Sequence, residues 1–161
     1  MIVRLFANGD EADVRSVLLS AFPSSAEAEL VDQLRSDGNA EIELVAEEEG
    51  QIVGHILFSD LKAPFRAVGL APVSVTPAHQ GRRIGTALIH RGHEIARASG
   101  QHVSFVLGDP AYYGRFGYSV DAAKPFQSAY SGPHFMMLVL NGPLPVTRGD
   151  LRYPPAFEEL D

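Results

Sequence analysis

The chain has 161 residues, of which 45% are hydrophobic and 20% are charged, so it has enough apolar surface for one domain over residues 1–161. This composition excludes a disordered class, and the absence of cysteine excludes disulfides, thiolate-ligated zinc and a cysteine acyl-enzyme. The net charge of −7 argues against a nucleic-acid surface, because phosphate binding depends on clustered Lys and Arg.

The first quarter of the chain predicts a strand followed by two helices. Residues 2–6 form the strand, and Asp10 or Glu11 caps a helix with an apolar side. Ser24 and Glu27 have capping-box spacing, which predicts that a second helix begins there. The apolar positions of the two helices are Val14, Val17, Leu18 and Phe22, then Leu30, Val31 and Leu34.

The next segments predict a hairpin and a third strand. Over residues 41–47, Ile42, Leu44 and Ala46 alternate with Glu41, Glu43, Val45 and Glu47. Glu49-Gly50 supplies a turn, and residues 52–58 form the returning strand. A further strand, Ala67–Val75, ends before Thr76-Pro77, because proline lacks the N–H donor of a strand ladder and restricts the residue before it.

A helix then connects this strand to another one. Apolar and small residues recur at helical spacing over Ile84–Ala98, and Gly100 ends the helix. The apolar run Val103–Leu107 predicts a buried strand, so the three elements form a strand-helix-strand crossover.

The last third of the chain predicts shorter elements. Asp109-Pro110 opens a short helix over residues 111–115, residues 135–140 form a last strand, and residues 151–157 form a tail packed on the surface. The beginning of the chain lacks the pattern of a signal peptide, and no segment approaches the roughly 20 apolar residues of a membrane span. We therefore expect a soluble, cytoplasmic protein with no membrane partner.

The junction between Val75 and the helix predicts an anion site. Backbone amides at a helix N-terminus attract anions, and Gly81 and Gly85 allow a ligand close to the backbone. Arg82 and Arg83 lie at the positive end of the helix dipole, where a bound anion would stabilise them. The simpler interpretation is that both arginines are only solvated. The segment is not a Walker loop, because it lacks the Gly-Lys-Ser/Thr ending.

This junction resembles the acetyl-CoA loop of the GNAT superfamily of N-acetyltransferases, Gln/Arg-x-x-Gly-x-Gly/Ala after a Val-x-Pro strand end. Gln80, Gly85 and Val75-Thr76-Pro77 match, while Arg83 replaces the first glycine and Gly81 lies two positions earlier. The resemblance implies an α/β (α+β) fold with a central, splayed mixed sheet flanked by helices. It also implies acetyl-CoA as cosubstrate, with pyrophosphate on the amides of residues 81–86 and pantetheine along residues 73–75. The implied cofactor-binding residues are Val73, Ser74, Val75, Gln80, Gly81, Arg82, Arg83, Ile84, Gly85, Thr86 and Asp109.

A cluster of tyrosines supplies the catalytic candidate. Without further context, Tyr112, Tyr113 and the Phe116-Gly117-Tyr118 segment are explained as aromatic residues of the hydrophobic core. Tyr113 precedes Gly117-Tyr118 by four residues, which resembles the GNAT tyrosine that protonates the departing CoA thiolate. Tyr112 is expected to pack, and Asp109 to cap the short helix or touch pantetheine. Residues 108–118 together with the terminal Tyr-Pro-Pro-Ala-Phe resemble the YhbS-like bacterial branch of the family.

The sequence does not single out the general base or the acceptor. Strand Ala67–Val75 carries no carboxylate, so Glu29, Glu43, His55 or water remain as bases, and each side chain is equally explained by packing or solvation. His90 and His93 have metal-ligand spacing but no third ligand nearby, so we expect exposed helix residues and no metal.

The predicted function is transfer of an acetyl group to a primary amine, small molecule or peptide, by direct attack. The acidic net charge would suit a cationic amine, although a solvated surface explains it as well. The alternatives are a non-catalytic CoA-binding or regulatory module, another acyl-CoA donor, or acylation of a protein terminus. A homodimer is left open.

Overall fold

The computed structural model describes residues 1–160. Its elements in chain order are β1 (Ile2–Leu5), α1 (Glu11–Ala21), α2 (Ala26–Ser36), β2 (Ala40–Glu48), β3 (Gln51–Leu61), β4 (Ala67–Val75), α3 (Ile84–Ala98), β5 (Val103–Leu107), α4 (Pro110–Tyr113), α5 (Val120–Ala123), β6 (Phe126–Gln127), β7 (Phe135–Val139) and β8 (Gly149–Asp150), with 3₁₀ turns at Pro77–His79, Gly114–Phe116 and Pro155–Leu160. In residues 1–160, no helix has both the length and the apolar character needed to cross a bilayer.

The fold is built on a mixed sheet with strand order β1-β2-β3-β4-β5-β7. Strands β1 to β4 form an antiparallel meander, and the predicted Glu49-Gly50 turn joins β2 to β3 with both residues at positive φ. The β4 and β5 strands are parallel because α3 returns the chain between them, and β7 is antiparallel to β5. The mixed α/β fold that the sequence predicts is therefore confirmed.

The sheet opens between β4 and β5. Their parallel pairing covers only Ala67 to Gly69 against Val103 to Phe105, although β4 continues to Val75 and β5 to Leu107. On its other edge β4 stays paired with β3. A bulge interrupts this pairing, because Ile56 pairs with Val73 and Phe58 with Leu70, which leaves one extra residue on β4. The free edges of β4 and β5 thus form the predicted opening at their carboxyl ends, where ligands bind in parallel sheets.

Both faces of the sheet are covered. Helix α3 packs on one face through a buried cluster that includes Phe58, Leu70 and Leu88. Helices α1 and α2 cover the other face together with Phe157 of the C-terminal segment. The terminal segment is thus more than a surface tail, because Leu151, Ala156 and Phe157 are all buried.

Two local expectations were wrong. The predicted capping box does not form: α2 begins after Ser25, whose side chain donates to Glu29 at 3.2 Å, while Ser24 Oγ accepts from the Ala26 amide at 3.2 Å. His93 is not an exposed helix residue, since only 2% of its surface is accessible. Its Nε2 lies 2.8 Å from the Tyr118 hydroxyl, which is also 2.8 Å from Ser104 Oγ. Burial is the main reason that the pKa of His93 falls to about 4.

Candidate active site

A cleft of about 300 Å³ lies where β4 passes into α3. Its walls come from the end of β4, the following turn, the first residues of α3 and the α4 region. The lining residues are Val75, His79, Gln80, Gly81, Arg83, Ile84, Gly85, Thr86, Tyr112 and Arg115. The structure thus brings most of the predicted cofactor residues to one place.

The floor of the cleft is a row of free backbone donors. The amides of residues 81–86 have no acceptor within residues 1–160, and Ala87 is the first to donate inside the helix, to Arg83 O. Gly81 and Arg83 both take left-handed conformations, at φ 79° and 63°. Arg83 thus tolerates a conformation that costs a non-glycine residue about 1 kcal/mol. Such a curved row of N–H groups at a helix dipole fits a pyrophosphate.

The free edge of β4 supplies further donors. The Thr76 amide donates to Val53 O on β3 at 2.9 Å, so strand alternation directs the amides of Val75 and Val73 towards the opening. The Val75 carbonyl is occupied, because Gln80 Nε2 donates to it at 3.0 Å. Gln80 therefore fixes the turn between β4 and α3 in addition to lining the cleft.

Tyr113 lies next to the cleft, at the carboxyl end of β5. Its ring packs against Gly108 so closely that a Cβ there would lie 2.5 Å from the ring, and its centroid is 5.0 Å from Tyr112. Burial, with Tyr112 adding to it, raises the pKa of Tyr113 to about 12. The hydroxyl has no hydrogen-bond partner in the described part of the chain, so it is a protonated, available donor at neutral pH.

Comparison with known proteins identifies the family. Residues 3–120 match the family model described as an acetyltransferase (GNAT) domain. The chain belongs to the GNAT family. It is accordingly an acyltransferase, and its relatives share both sequence and fold.

Three relatives show this most clearly. The chain is 32% identical to the N-acetyltransferase YhbS of Escherichia coli K12, over 82% of this chain and 81% of YhbS. It is 38% identical to the N-acetyltransferase YjhQ of the same strain, over 77% of this chain and 73% of YjhQ. The crystal structure of E. coli YhbS in complex with CoA has a TM-score of 0.87 at 29% identity and covers 98% and 91% of the two chains. A Brucella melitensis GNAT acetyltransferase in complex with acetyl-CoA has a TM-score of 0.80 at 34% identity over 97% of each chain. The predicted resemblance to YhbS is confirmed.

Some predicted residues lie outside the cleft of this GNAT protein. Arg82 is exposed and does not line it, and Asp109 accepts a bond of 3.0 Å from the Ala111 amide as the cap of α4. Val73 packs with the α3-side cluster, whereas Ser74 is buried on the opposite face.

Arg115 also lines the cleft, although the sequence patterns do not single it out. The Arg115 guanidinium lies 4.6 Å from the Tyr112 ring centroid, and both side chains line the cleft. The spacing of three residues within one helical turn was an available signal for this pair. Arg115 adds a positive charge opposite the amides of α3.

The three candidate bases lie in different surroundings. Glu29 lines a separate depression between α2 and the C-terminal segment. Glu43 and His55 are both buried and contact each other, with His55 Nε2 2.7 Å from Glu43 Oε2. His90 is exposed, and within residues 1–160 no three His, Cys, Asp or Glu side chains are grouped as a metal site.

Proposed function

We propose that residues 1–161 form one N-acetyltransferase domain, which transfers the acetyl group of acetyl-CoA to a primary amine by direct attack, without a covalent enzyme intermediate. The observation that carries this proposal is the continuity of the cleft. Unpaired amides of residues 81–86 lead to the unpaired edge of β4, and a protonated tyrosine lies at the end of the facing strand.

Acetyl-CoA fits the donors along this path. The amides of residues 81–86, Arg83 and Arg115 would hold the pyrophosphate, and the Val75 and Val73 amides would pair with the pantetheine arm as an added strand. The relatives crystallised with CoA and acetyl-CoA support this assignment.

The reaction would take place at the opening between β4 and β5. A free amide of β4, from Val73 or Val75, would stabilise the oxyanion that forms when the amine attacks the thioester. The C–S bond then breaks, and the Tyr113 hydroxyl would give its proton to the departing sulfur. The raised pKa of Tyr113 keeps that proton available across the neutral range.

A thiol-release assay with acetyl-CoA and a panel of polyamines, amino acids, aminoglycosides and peptides tests the function. We expect release of CoA with at least one amine, together with acetylation of that amine by mass spectrometry. Binding of CoA with no thiol release across the panel would instead support a CoA-binding regulatory module.

Charge reversal in the cleft tests the cofactor site. Arg83→Glu should raise the Kd for CoA by at least about tenfold, because a charge-assisted hydrogen bond contributes about 1.5 to 3 kcal/mol. The Kd for pantetheine, which lacks the nucleotide phosphates, should change little. Isothermal titration of both ligands measures this.

The neighbouring Arg82→Glu is the matched control. It changes net charge equally but lies outside the cleft, so the effect on CoA should be smaller. Equal losses for CoA and pantetheine in Arg83→Glu would place the phosphate site elsewhere.

A further inference from the structure

Two buried polar groups without partners lie next to each other on β3 and β4. His55 has no accessible surface and Ser74 only 5%, yet His55 Nδ1 and Ser74 Oγ have no hydrogen-bond partner within the described chain. The two residues are directly opposite each other in the β3–β4 register. Since a buried unsatisfied polar group costs about 1 to 3 kcal/mol, such a pair needs an explanation.

The other side of His55 is firmly held. Its Nε2 is 2.7 Å from Glu43 Oε2, and the same carboxylate accepts from Arg35 Nη2 at 2.8 Å and Arg35 Nε at 3.0 Å. The Arg35 guanidinium in turn lies 4.2 Å from the Phe6 ring centroid. This arrangement ties α2 to the sheet and fixes the orientation of the imidazole ring.

The charges in this cluster define the proton positions. Burial raises the pKa of Glu43, but the bonds from His55 and Arg35 outweigh it and the pKa lies below the usual value. Burial lowers the pKa of His55 despite Glu43. The imidazole is therefore neutral, Nε2–H donates to the carboxylate, and the Nδ1 lone pair is free to accept a proton.

The surroundings of His55 contain few other charges. Glu43 of β2 and Arg35 of α2 are the charged groups that act on it. The buried side chains of α1 are apolar, Asp10 before α1 is paired with Arg4, and Tyr130 and Tyr153 belong to the apolar cluster on this face.

Ser74 connects this cluster to the reaction site. It lies between Val73 and Val75, on the part of β4 that has separated from β5. Val73 and Val75 pack on the α3 side with the cofactor cleft, so Ser74 faces the other side of the sheet. Leu107, which is 49% exposed, ends β5 across the opening. An amine approaching from the face opposite the cofactor would thus pass Ser74.

We propose that Glu43 and His55 form a buried proton acceptor for the acetyl transfer, which takes a proton from the amine through the hydroxyl of Ser74. Ser74 Oγ receives a proton from the cationic amine as it gives its own to His55 Nδ1, and Glu43 stabilises the resulting imidazolium. In the structure the Ser74 hydroxyl is buried and is not bonded to His55 Nδ1, so both contacts would form only when the amine enters the opening and the hydroxyl rotates. Ser74 would then contact the substrate, whereas His55 and Glu43 act through it. This inference rests on the proposed function.

The protons balance in this scheme. A cationic amine has three N–H protons and the amide product has one. His55 takes the first before attack and later releases it to solvent. The second leaves the nitrogen for solvent as the C–S bond breaks. Tyr113, which has given its proton to the sulfur, takes one back from solvent, so the whole reaction releases one proton.

Ser74→Ala tests the relay with a matched control. Ser59 is also a fully buried serine without a hydrogen-bond partner, and it lies on the same face of β3 as His55. It lies opposite Gly69, however, where β4 is still paired with β5. With the first amine of the panel that the wild type accepts, Ser74→Ala should lower kcat at least about tenfold and Ser59→Ala should leave it unchanged. Acetyl-CoA affinity and the thermal midpoint should be similar in the two variants.

The pH profile separates a proton relay from a structural role. Glu43→Gln removes the carboxylate that raises the pKa of His55, so the acid limb of kcat/KM should move to lower pH. Equal kcat in Ser74→Ala and Ser59→Ala, or an acid limb that Glu43→Gln leaves in place, would overturn the relay. If the wild type acetylates no amine of the panel, the proposed function itself fails.

Discussion

Replacing Tyr113 with phenylalanine is expected to lower kcat by about 10²-fold or more while KM for acetyl-CoA stays near its original value. The hydroxyl is the only group removed, and it is needed when the thiolate departs rather than when the cosubstrate binds. The ring keeps its contacts with Gly108 and Tyr112. Steady-state kinetics under conditions where chemistry limits the rate measure the effect.

Tyr118→Phe is the matched comparison for Tyr113. Its hydroxyl is bonded to His93 and Ser104 at 2.8 Å each. Its buried ring packs against Tyr113, with 5.9 Å between the ring centroids, but does not line the cleft. Its loss should lower the free energy of unfolding by about 1 to 3 kcal/mol, because two buried polar partners are left unpaired, and should preserve turnover per folded molecule. If Tyr113→Phe behaves in this way, Tyr113 is a packing residue.

Gly92→Val is expected to cost about 3 kcal/mol of unfolding free energy. Gly92 lies in α3 directly above Phe58 of β3, where a Cβ would lie 2.2 Å from the ring. Phe58 is fully buried and cannot move aside without disturbing the core, so the larger side chain must displace the helix. For a chain of this length the melting temperature should fall by roughly 10 °C.

Gly114→Ala is the control for this substitution. A Cβ at Gly114 would meet no heavy atom within 4 Å, and φ there is −57°. The melting temperature should therefore stay the same or rise slightly, because alanine restricts the unfolded chain. A stable Gly92→Val variant would show that α3 is not held by this close contact.

The sequence predicts the local elements around the cofactor cleft well, since strong signals mark their ends. Pro77 follows the end of the strand and Gly100 follows the end of the helix, and the predicted Ala67–Val75, Ile84–Ala98 and Val103–Leu107 agree with the observed bounds. The misplaced His93 also had a signal. It lies four residues after Ile89 and three before Ala96, which are buried on the same side of α3.

The pairing of Glu43 with His55 could not be predicted. A regular two-residue hairpin at Glu49-Gly50 would place His55 opposite Leu44 and so on the α3 face. A register shift between Ala46 and Glu47 pairs it with Val45 instead, on the face that carries Glu43. One inserted residue moves every side chain beyond the insertion to the opposite face of the sheet. No residue type near Ala46 indicates that a register shift occurs there. The three-residue spacing could indicate the contact of Arg115 with Tyr112, but not that both line the cleft at the start of α3, because that depends on how α4 and the 3₁₀ turn after it pack in the tertiary structure.

The close contact of Gly92 with Phe58 makes it a pivot for the cofactor cleft. Helices rise 1.5 Å per residue, so the first turn of α3 at Ile84 lies about 12 Å from that pivot. A tilt of about 5° there would move the unpaired amides by about 1 Å, roughly a third of the donor–acceptor distance of a hydrogen bond. Core substitutions near Phe58 would thus shift the amides of residues 81–86, because α3 would carry a packing change on the sheet to its own N-terminus.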